Sequence, residues 1–181
     1  MMDRDLLEGA LSELPLYTYF YVDPSTLEFS ERIRWICENE CPRFGQSWAC
    51  PPGVGSVEEC KKRCLGYTNC LVVGTITESD DISNMHFTLS TRFAHEEITN
   101  IVRDLMRQQN IEPYILSTDS CSICDKCTYP QGKPCCHADK MHPCIESHGI
   151  NVIPTLEENG LDFQYGDNII TWYSLLFFNE D

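Results

Sequence analysis

The sequence predicts an α/β or α+β fold, in which a small central sheet is flanked by helices and joined to two cysteine-rich metal-binding loops. The chain has 181 residues, enough for one well-packed core. Apolar, strand-like segments alternate with an amphipathic helical segment, and the 12 cysteines fall into two groups. We therefore expect a single cysteine-rich domain over residues 1–181.

The first third of the chain predicts short elements. Leu6–Leu14 has the pattern of a short helix, and Leu16–Val22 is an aromatic, strand-like run that ends at an Asp-Pro-Ser turn. Ser56 and Glu59 have the spacing of a capping box, in which the serine caps a helix and the glutamate bonds back to the cap. A helix is therefore predicted over Val57–Cys64.

The middle of the chain predicts a strand–helix–strand unit between the two cysteine groups. Cys70–Thr77 is β-branched and apolar, as a buried strand requires, and Pro113–Thr118 is another short strand. Between them, Thr91–Gln109 places apolar residues at helical spacing. Such a unit can bring distant parts of the chain to one edge of a sheet. Ile170–Phe178 predicts a central strand.

The charge balance excludes several classes of function. The chain has 28 Asp and Glu against 13 Lys and Arg, for a formal net charge of -15. Nucleic acids and anionic lipids need a basic face, so neither is an expected partner. No apolar run approaches the length of a membrane span, and acids stand where a signal peptide has basic residues. We expect a cytoplasmic protein, in which dense cysteine indicates metal or redox chemistry rather than disulfides.

The second cysteine group gives the strongest signal for a cofactor. Two residues separate Cys121 from Cys124 and Cys124 from Cys127, and seven residues separate Cys127 from Cys135. Three thiolates at that spacing crowd a single tetrahedral ion, but they fit around a cuboidal cluster whose irons are separate anchoring points. The proline- and glycine-containing loop over 129–134 is suited to folding back over such a cluster. We predict a 4Fe–4S cluster here, with zinc as the alternative.

The first group predicts a three-thiolate site. Cys37 and Cys41 are separated by three residues, Cys50 follows eight residues later, and prolines directly follow two of these cysteines. If this site holds a second cluster, its fourth iron has no evident cysteine and is open to water or substrate, where it would act as a Lewis acid. The alternative is a set of reduced thiols in a rigid turn.

The other five cysteines are interpreted as bystanders. Cys60 and Cys64 share a face of the predicted helix and Cys70 begins a strand, so core packing explains all three. Cys136 directly follows a predicted ligand, which argues against its joining the same cluster, although Cys136 or Cys144 is an alternative fourth ligand for the first site. The histidines have no metal-type spacing and are each expected at the surface: His86, His95, His137, His142 and His148.

Both cysteine motifs resemble those of an uncharacterised prokaryotic family of predicted metal-binding, cysteine-rich proteins, a domain of unknown function. The resemblance extends through the stretch from His137 to Val152 and spans most of the chain. It implies metal or iron–sulfur binding in anaerobes and brings no established reaction. The family pattern has other residue types at Cys136 and Cys144, which places these two outside the ligand set. It matches seven cysteines: Cys37, Cys41, Cys50, Cys121, Cys124, Cys127 and Cys135.

The leading functional prediction is an iron–sulfur protein that transfers electrons to a basic redox partner, because negative charge helps docking to such a partner. One alternative is an enzyme that uses the open iron of the first site on a small sulfur- or oxygen-containing substrate. Another is a zinc-stabilised interaction module. The sequence identifies no catalytic residue. By position alone, four polar residues are candidates to lie beside the metals: Lys126, Lys133, His137 and Glu146.

Overall fold

The computed structural model describes residues 2–163 and 165–180 and shows an α+β fold. Three short 3-10 turns occur at Pro24–Thr26, Tyr129–Gln131 and Glu146–His148. The helices and strands follow in this order: α1 (Arg4–Ser12), β1 (Thr18–Val22), β2 (Glu28–Phe29), α2 (Glu31–Asn39), α3 (Val57–Cys64), β3 (Asn69–Glu78), α4 (Met85–Gln108), β4 (Tyr114–Leu116), β5 (Ile150–Asn151), α5 (Ile153–Glu158) and β6 (Ile169–Phe178).

The central sheet has four strands in the order β1-β3-β6-β4, and every neighbouring pair is antiparallel. Strand β6 therefore lies between β3 and β4, which run parallel to each other without being paired. The predicted strand–helix–strand unit is present as β3, α4 and β4, with the C-terminal strand inserted between its two strands. A separate two-stranded sheet pairs β2 with β5.

Both faces of the central sheet are covered, so its long strands are buried on each side. Side chains alternate between the faces along a strand, and Leu71 and Val73 point to one apolar cluster while Cys70 and Val72 point to the other. The first cluster is completed mainly by α1 and α4, and the second by α3, α5 and the segment around Ile145. This double burial explains why β3 is a continuous apolar run.

Most predicted elements lie where the sequence pattern predicts them. The capping box of Ser56 and Glu59 is present with both of its hydrogen bonds, and α3 spans Val57–Cys64. Strand β6 is central, as predicted. Helix α4 begins at Met85, six residues before the predicted start, because the side chain of Asn84 caps it there. The residues of its first turns are exposed or half-buried, so they lack the apolar pattern on which the prediction depended. No helix in the described residues is long and apolar enough to cross a membrane.

The two cysteine loops lie at the same end of the central sheet because β4 is short and lies level with the beginning of β3. In the sheet register, Tyr114 and Leu116 lie level with Cys70 and Val72, at the beginning of β3. The chain therefore leaves β4 close to the point where it enters β3. Since the first cysteine group precedes β3 and the second follows β4, both groups emerge at this end of the sheet.

Candidate metal centre

The second cysteine group lies between β4 and β5, and a buried arginine of α4 fixes where that segment begins. Arg92 donates from Nε to the carbonyl oxygen of Thr118 at 3.3 Å and from Nη2 to that of Ser120 at 2.6 Å. Its Nη1 donates to the hydroxyl of Ser122 at 3.1 Å. These residues flank Cys121, so the arginine ties the chain on both sides of this cysteine to α4.

A closed turn brings the later thiols of the group together. The Thr128 hydroxyl donates to the carbonyl oxygen of Pro134 at 2.8 Å, and Gly132 adopts a left-handed backbone with φ of 64°, which glycine tolerates without strain. The loop thus folds back as the sequence predicted. Cys127 and Cys135 immediately flank the turn and are brought to its base.

All four predicted ligands of the second group line one small cavity, which we call the thiol cavity. Trp48, Ile123 and Met141 supply much of its apolar lining. An apolar surrounding limits solvent access to an iron–sulfur cluster and so tunes its potential. Cys136 lines the same cavity and is the exposed member of the group. The predicted ligands in the lining are Cys121, Cys124, Cys127 and Cys135.

These thiols are close enough to affect one another's ionisation. Burial raises the pKa of Cys121, and the neighbouring thiolates of Cys135, Cys124 and Cys127 raise it further. The pKa of Cys124 is also raised, by burial and by the negative charges around it. The thiols of Cys121 and Cys124 therefore hold their protons at neutral pH until a cation stabilises the thiolates.

The first cysteine group is built around the end of α2. Cys37 is buried in the last turn of that helix, Cys41 follows its end, and Cys50 is buried in the loop before α3. Burial, with the negative charges of Glu146, Cys41 and Cys50, raises the pKa of Cys37 to about 11. The electrostatic coupling among these groups indicates that the three predicted thiols are neighbours.

A fourth thiol lies against this group. The thiols of Cys50 and Cys144 lie near enough to interact, and the interaction lowers the pKa of Cys50 and raises that of Cys144. Cys144 is buried and accepts a hydrogen bond from the backbone N–H of Ser147 at 3.3 Å. Ser117 holds the segment in place through backbone bonds to Pro143 at 2.8 Å and Ile145 at 3.1 Å. The family resemblance places Cys144 outside the ligand set, whereas the sequence alone left it as an alternative fourth ligand of the first site. The structure places it near Cys50, a predicted ligand of that site.

Trp48 joins the two thiol groups. Its indole N–H donates to the carbonyl oxygen of Lys133 at 3.0 Å, and its ring packs edge-on against Tyr129 with centroids 4.9 Å apart. The same ring lines the thiol cavity and lies two residues from Cys50. The two cysteine loops therefore form one continuous unit.

The comparison with protein families gives a match over residues 21–178, to the family described as predicted metal-binding protein (DUF2284). The chain belongs to this family. The matched region of this DUF2284 protein contains all 12 cysteines, and the resemblance inferred from the two cysteine motifs is confirmed. No curated protein and no solved structure matches the chain significantly.

The donor set of this DUF2284 protein suits soft metals that bind thiolates. Within residues 2–163 and 165–180, no three side chains of His, Cys, Asp or Glu converge as the ligands of a single metal ion do. The four thiols of the second group are instead distributed around one cavity. A cluster with separate irons takes its ligands from several directions, so these residues fit such a group.

Three bystander cysteines lie in the core, as predicted. Cys60, Cys64 and Cys70 are fully buried, and burial raises the pKa of each. The prediction that the histidines lie at the surface was wrong for His95 and His148, which are fully buried, and for His142, whose side chain is largely buried. All three are held by hydrogen bonds to distant segments, a context that the local sequence does not reveal.

Proposed function

We propose that the protein is an iron–sulfur protein that transfers electrons, with two 4Fe–4S clusters. One cluster is held by four of the cysteines that line the thiol cavity, Cys121, Cys124, Cys127 and Cys135. The other is held by Cys37, Cys41 and Cys50, with Cys144 as the fourth thiolate. The observation that supports the proposal most is the lining of one apolar-walled cavity by all four predicted ligands of the second group.

The surrounding residues suit this role. A 4Fe–4S cluster supplies single-electron redox chemistry whose potential depends on hydrogen bonds to its sulfurs and on solvent exposure. In the second group, Trp48 and Met141 restrict access of water to the thiols. In the first group, the backbone N–H of Ser147 donates to the sulfur of Cys144. Such a bond stabilises a thiolate and so favours its binding to a metal.

Electron transfer is favoured over catalysis at an open iron because of Cys144. A three-cysteine site leaves one iron without a protein ligand, whereas a fourth thiol beside Cys50 supplies one. Both centres are then fully ligated. The net charge of -15 favours a basic protein as the redox partner.

Anaerobic purification followed by metal and sulfide analysis tests the proposal. Two clusters require about eight irons and eight sulfides per chain, together with a brown colour that bleaches on reduction. A colourless protein that contains zinc in place of iron would contradict the proposal and favour a zinc-stabilised interaction module.

The ligand assignment is tested by Cys124→Ser, with Cys136→Ser as the matched control from the same loop. The first substitution removes a ligand of the second group, so about half of the iron should be lost, and the electron paramagnetic resonance signal of one reduced cluster should disappear. Cys136→Ser should keep both signals. Equal iron loss in the two variants would contradict the assignment of the fourth ligand to Cys135.

A further inference from the structure

A second pocket, which we call the arginine pocket, opens beside the thiol cavity. Its volume is about 420 Å³, within the range of sites that bind small organic molecules. Trp48 and Met141 belong to the linings of both the pocket and the cavity. Whatever binds in the arginine pocket therefore lies one layer of side chains away from the second thiol group.

The charges that line the pocket differ from those of the rest of the chain. Arg63, Arg103 and Arg107 all reach it, although the whole acidic chain has only 13 Lys and Arg. Glu112 and Asp139 are the carboxylates among the described lining residues. Arg107 is paired with Glu112, and Arg103 is paired with Asp104, whose carboxylate lies 2.9 Å from its Nε. Among the described residues, no carboxylate lies within ion-pair distance of Arg63, so one negative charge on a ligand would balance this cation.

The side chain of His142 also lines the pocket and is largely buried. Its Nε2 lies 3.1 Å from the side-chain oxygen of Asn100, which also accepts a hydrogen bond from Nη1 of Arg103 at 2.8 Å. Asn100 therefore holds both His142 and Arg103 in place.

Arg63 has the guanidinium that is available to a ligand. Its Nη1 donates to the Tyr114 hydroxyl at 3.2 Å and lies 3.5 Å from the carbonyl oxygen of Val54. The side chains of the described residues provide no partner for its Nε and Nη2. By contrast, Arg107 donates from Nε and Nη2 to Glu112 at 2.7 and 2.5 Å.

A chain of hydrogen bonds through Tyr114 to His148 fixes the position of Arg63. The Tyr114 hydroxyl accepts from Arg63, and it lies 2.6 Å from Nε2 of the buried His148. Because the hydroxyl oxygen accepts from the arginine, its O–H is free to donate to the histidine. The guanidinium is thus held over the Tyr114 ring, 5.7 Å from its centroid, with one edge left for a carboxylate.

We propose that the arginine pocket binds a small organic monocarboxylate. The carboxylate pairs with Arg63, and the apolar part of the molecule packs against Trp48, Val54, Ile115 and Met141, which also line the pocket. A dianion such as phosphate matches neither the single unpaired arginine nor the apolar lining. The inference does not depend on which metal the thiols hold.

Calorimetric titration of the full-length, anaerobically purified protein tests this site, with benzoate as the probe and benzamide as its neutral counterpart. Benzoate should bind in a saturable manner, and benzamide should not. Arg63→Gln should weaken the binding of benzoate at least tenfold, or about 1.4 kcal/mol. Lys62→Gln is the matched control, because it removes the same charge from the neighbouring residue of α3, which does not line the pocket. It should change the affinity by less than about twofold.

Several results would overturn the proposal. They are the absence of saturable benzoate binding, equal binding of benzamide, an equal loss in the two variants, or a preference for inorganic phosphate over benzoate. Iron is measured in the same preparations. A protein that contains zinc but binds benzoate through Arg63 would overturn the electron-transfer proposal and support this one.

Discussion

Arg34 shows how one side chain holds the first cysteine group together. It is buried on α2, and its Nε and Nη2 donate to the carbonyl oxygen of Ser147 at 3.1 and 2.7 Å. Its Nη1 donates to the carbonyl oxygen of Gly55 at 2.8 Å, and its Nη2 lies 3.7 Å from the sulfur of Cys60. The helix that bears Cys37 is thereby tied to the segment after Cys144 and to the start of α3.

Replacing Arg34 by Met should therefore lower both stability and metal content. The substitution removes the arginine donors from one buried and one partly buried carbonyl oxygen, at an expected cost of about 3 kcal/mol in the free energy of unfolding. Urea unfolding and iron analysis measure the two effects. Arg32→Met, on an exposed position of the same helix, should change stability by less than about 0.5 kcal/mol. Similar losses in both variants would show that Arg34 has no special role.

Cys144 is the residue on which the nature of the first centre depends. If it is the fourth ligand, Cys144→Ala should remove about half of the iron and one of the two cluster signals in electron paramagnetic resonance. Cys70→Ala removes an equally buried thiol of the core and should keep both signals. Full iron content in Cys144→Ala would instead favour a three-cysteine centre with an open iron.

At the scale of elements, the sheet depends on close contact between β1, β3 and β6. A Cβ at Gly74 of β3 would lie 2.7 Å from the ring of Tyr173 and 2.9 Å from Cγ2 of Thr18. Neighbours on both adjacent strands thus occupy the space that any larger residue would need.

Gly74→Ala should consequently destabilise the protein by about 1–3 kcal/mol, because the core has to shift to admit the methyl group. Gly9→Ala provides the opposite case. Gly9 lies inside α1, and a methyl group added there would meet nothing within 4 Å, so alanine should stabilise the helix by about 0.5–1 kcal/mol. Thermal unfolding distinguishes the two. If Gly74→Ala left the free energy of unfolding unchanged, the strands could separate at little cost.

The elements that sequence predicted well are those with a local signal. The capping box of α3 and the apolar runs of β3 and β6 depend on neighbouring residues only. Helix α2 was missed because its exposed face includes Trp35 and Ile36, which obscures the apolar periodicity. The insertion of β6 between β3 and β4 arises from pairing across the whole chain, for which no local pattern exists.

The same distinction applies to the candidate site. The C-x2-C-x2-C spacing and the cysteine seven residues after it predicted four of the thiols that line the thiol cavity, because they are close in sequence. Cys144 was only an alternative fourth ligand of the first site, since its position near Cys50 depends on backbone bonds of Ser117 to Pro143 and Ile145. The arginine pocket was not predicted at all, because its cations come from α3 and α4.

At the scale of the whole molecule, buried histidines make stability depend on pH. His95 is enclosed between α4 and the sheet, where its Nδ1 lies 2.9 Å from the Thr75 hydroxyl and its Nε2 lies 2.8 Å from that of Ser174. Burial lowers its pKa from 6.5 to about 4. The unfolded chain therefore binds a proton that the folded protein excludes between these pH values.

Stability should thus fall as the pH is lowered from about 6.5 to about 4, by about 3 kcal/mol for this histidine alone. In His95→Gln, the slope of the unfolding free energy against pH should correspond to one proton fewer taken up on unfolding across that range. His86→Gln, at an exposed position, should keep the original dependence. An ordinary pKa for His95 in a nuclear magnetic resonance titration would contradict the prediction.

The contact between Cys50 and Cys144 has a consequence for the unfolded chain. The two residues are about 95 positions apart, so a metal centre that binds both closes a loop over more than half of the protein. By the chain-entropy relation for cross-links, closing such a loop disfavours the unfolded ensemble by about 5 kcal/mol. The first centre would then act as a reversible staple, whose removal by a chelator or by oxygen leaves a chain that is far easier to unfold and to digest.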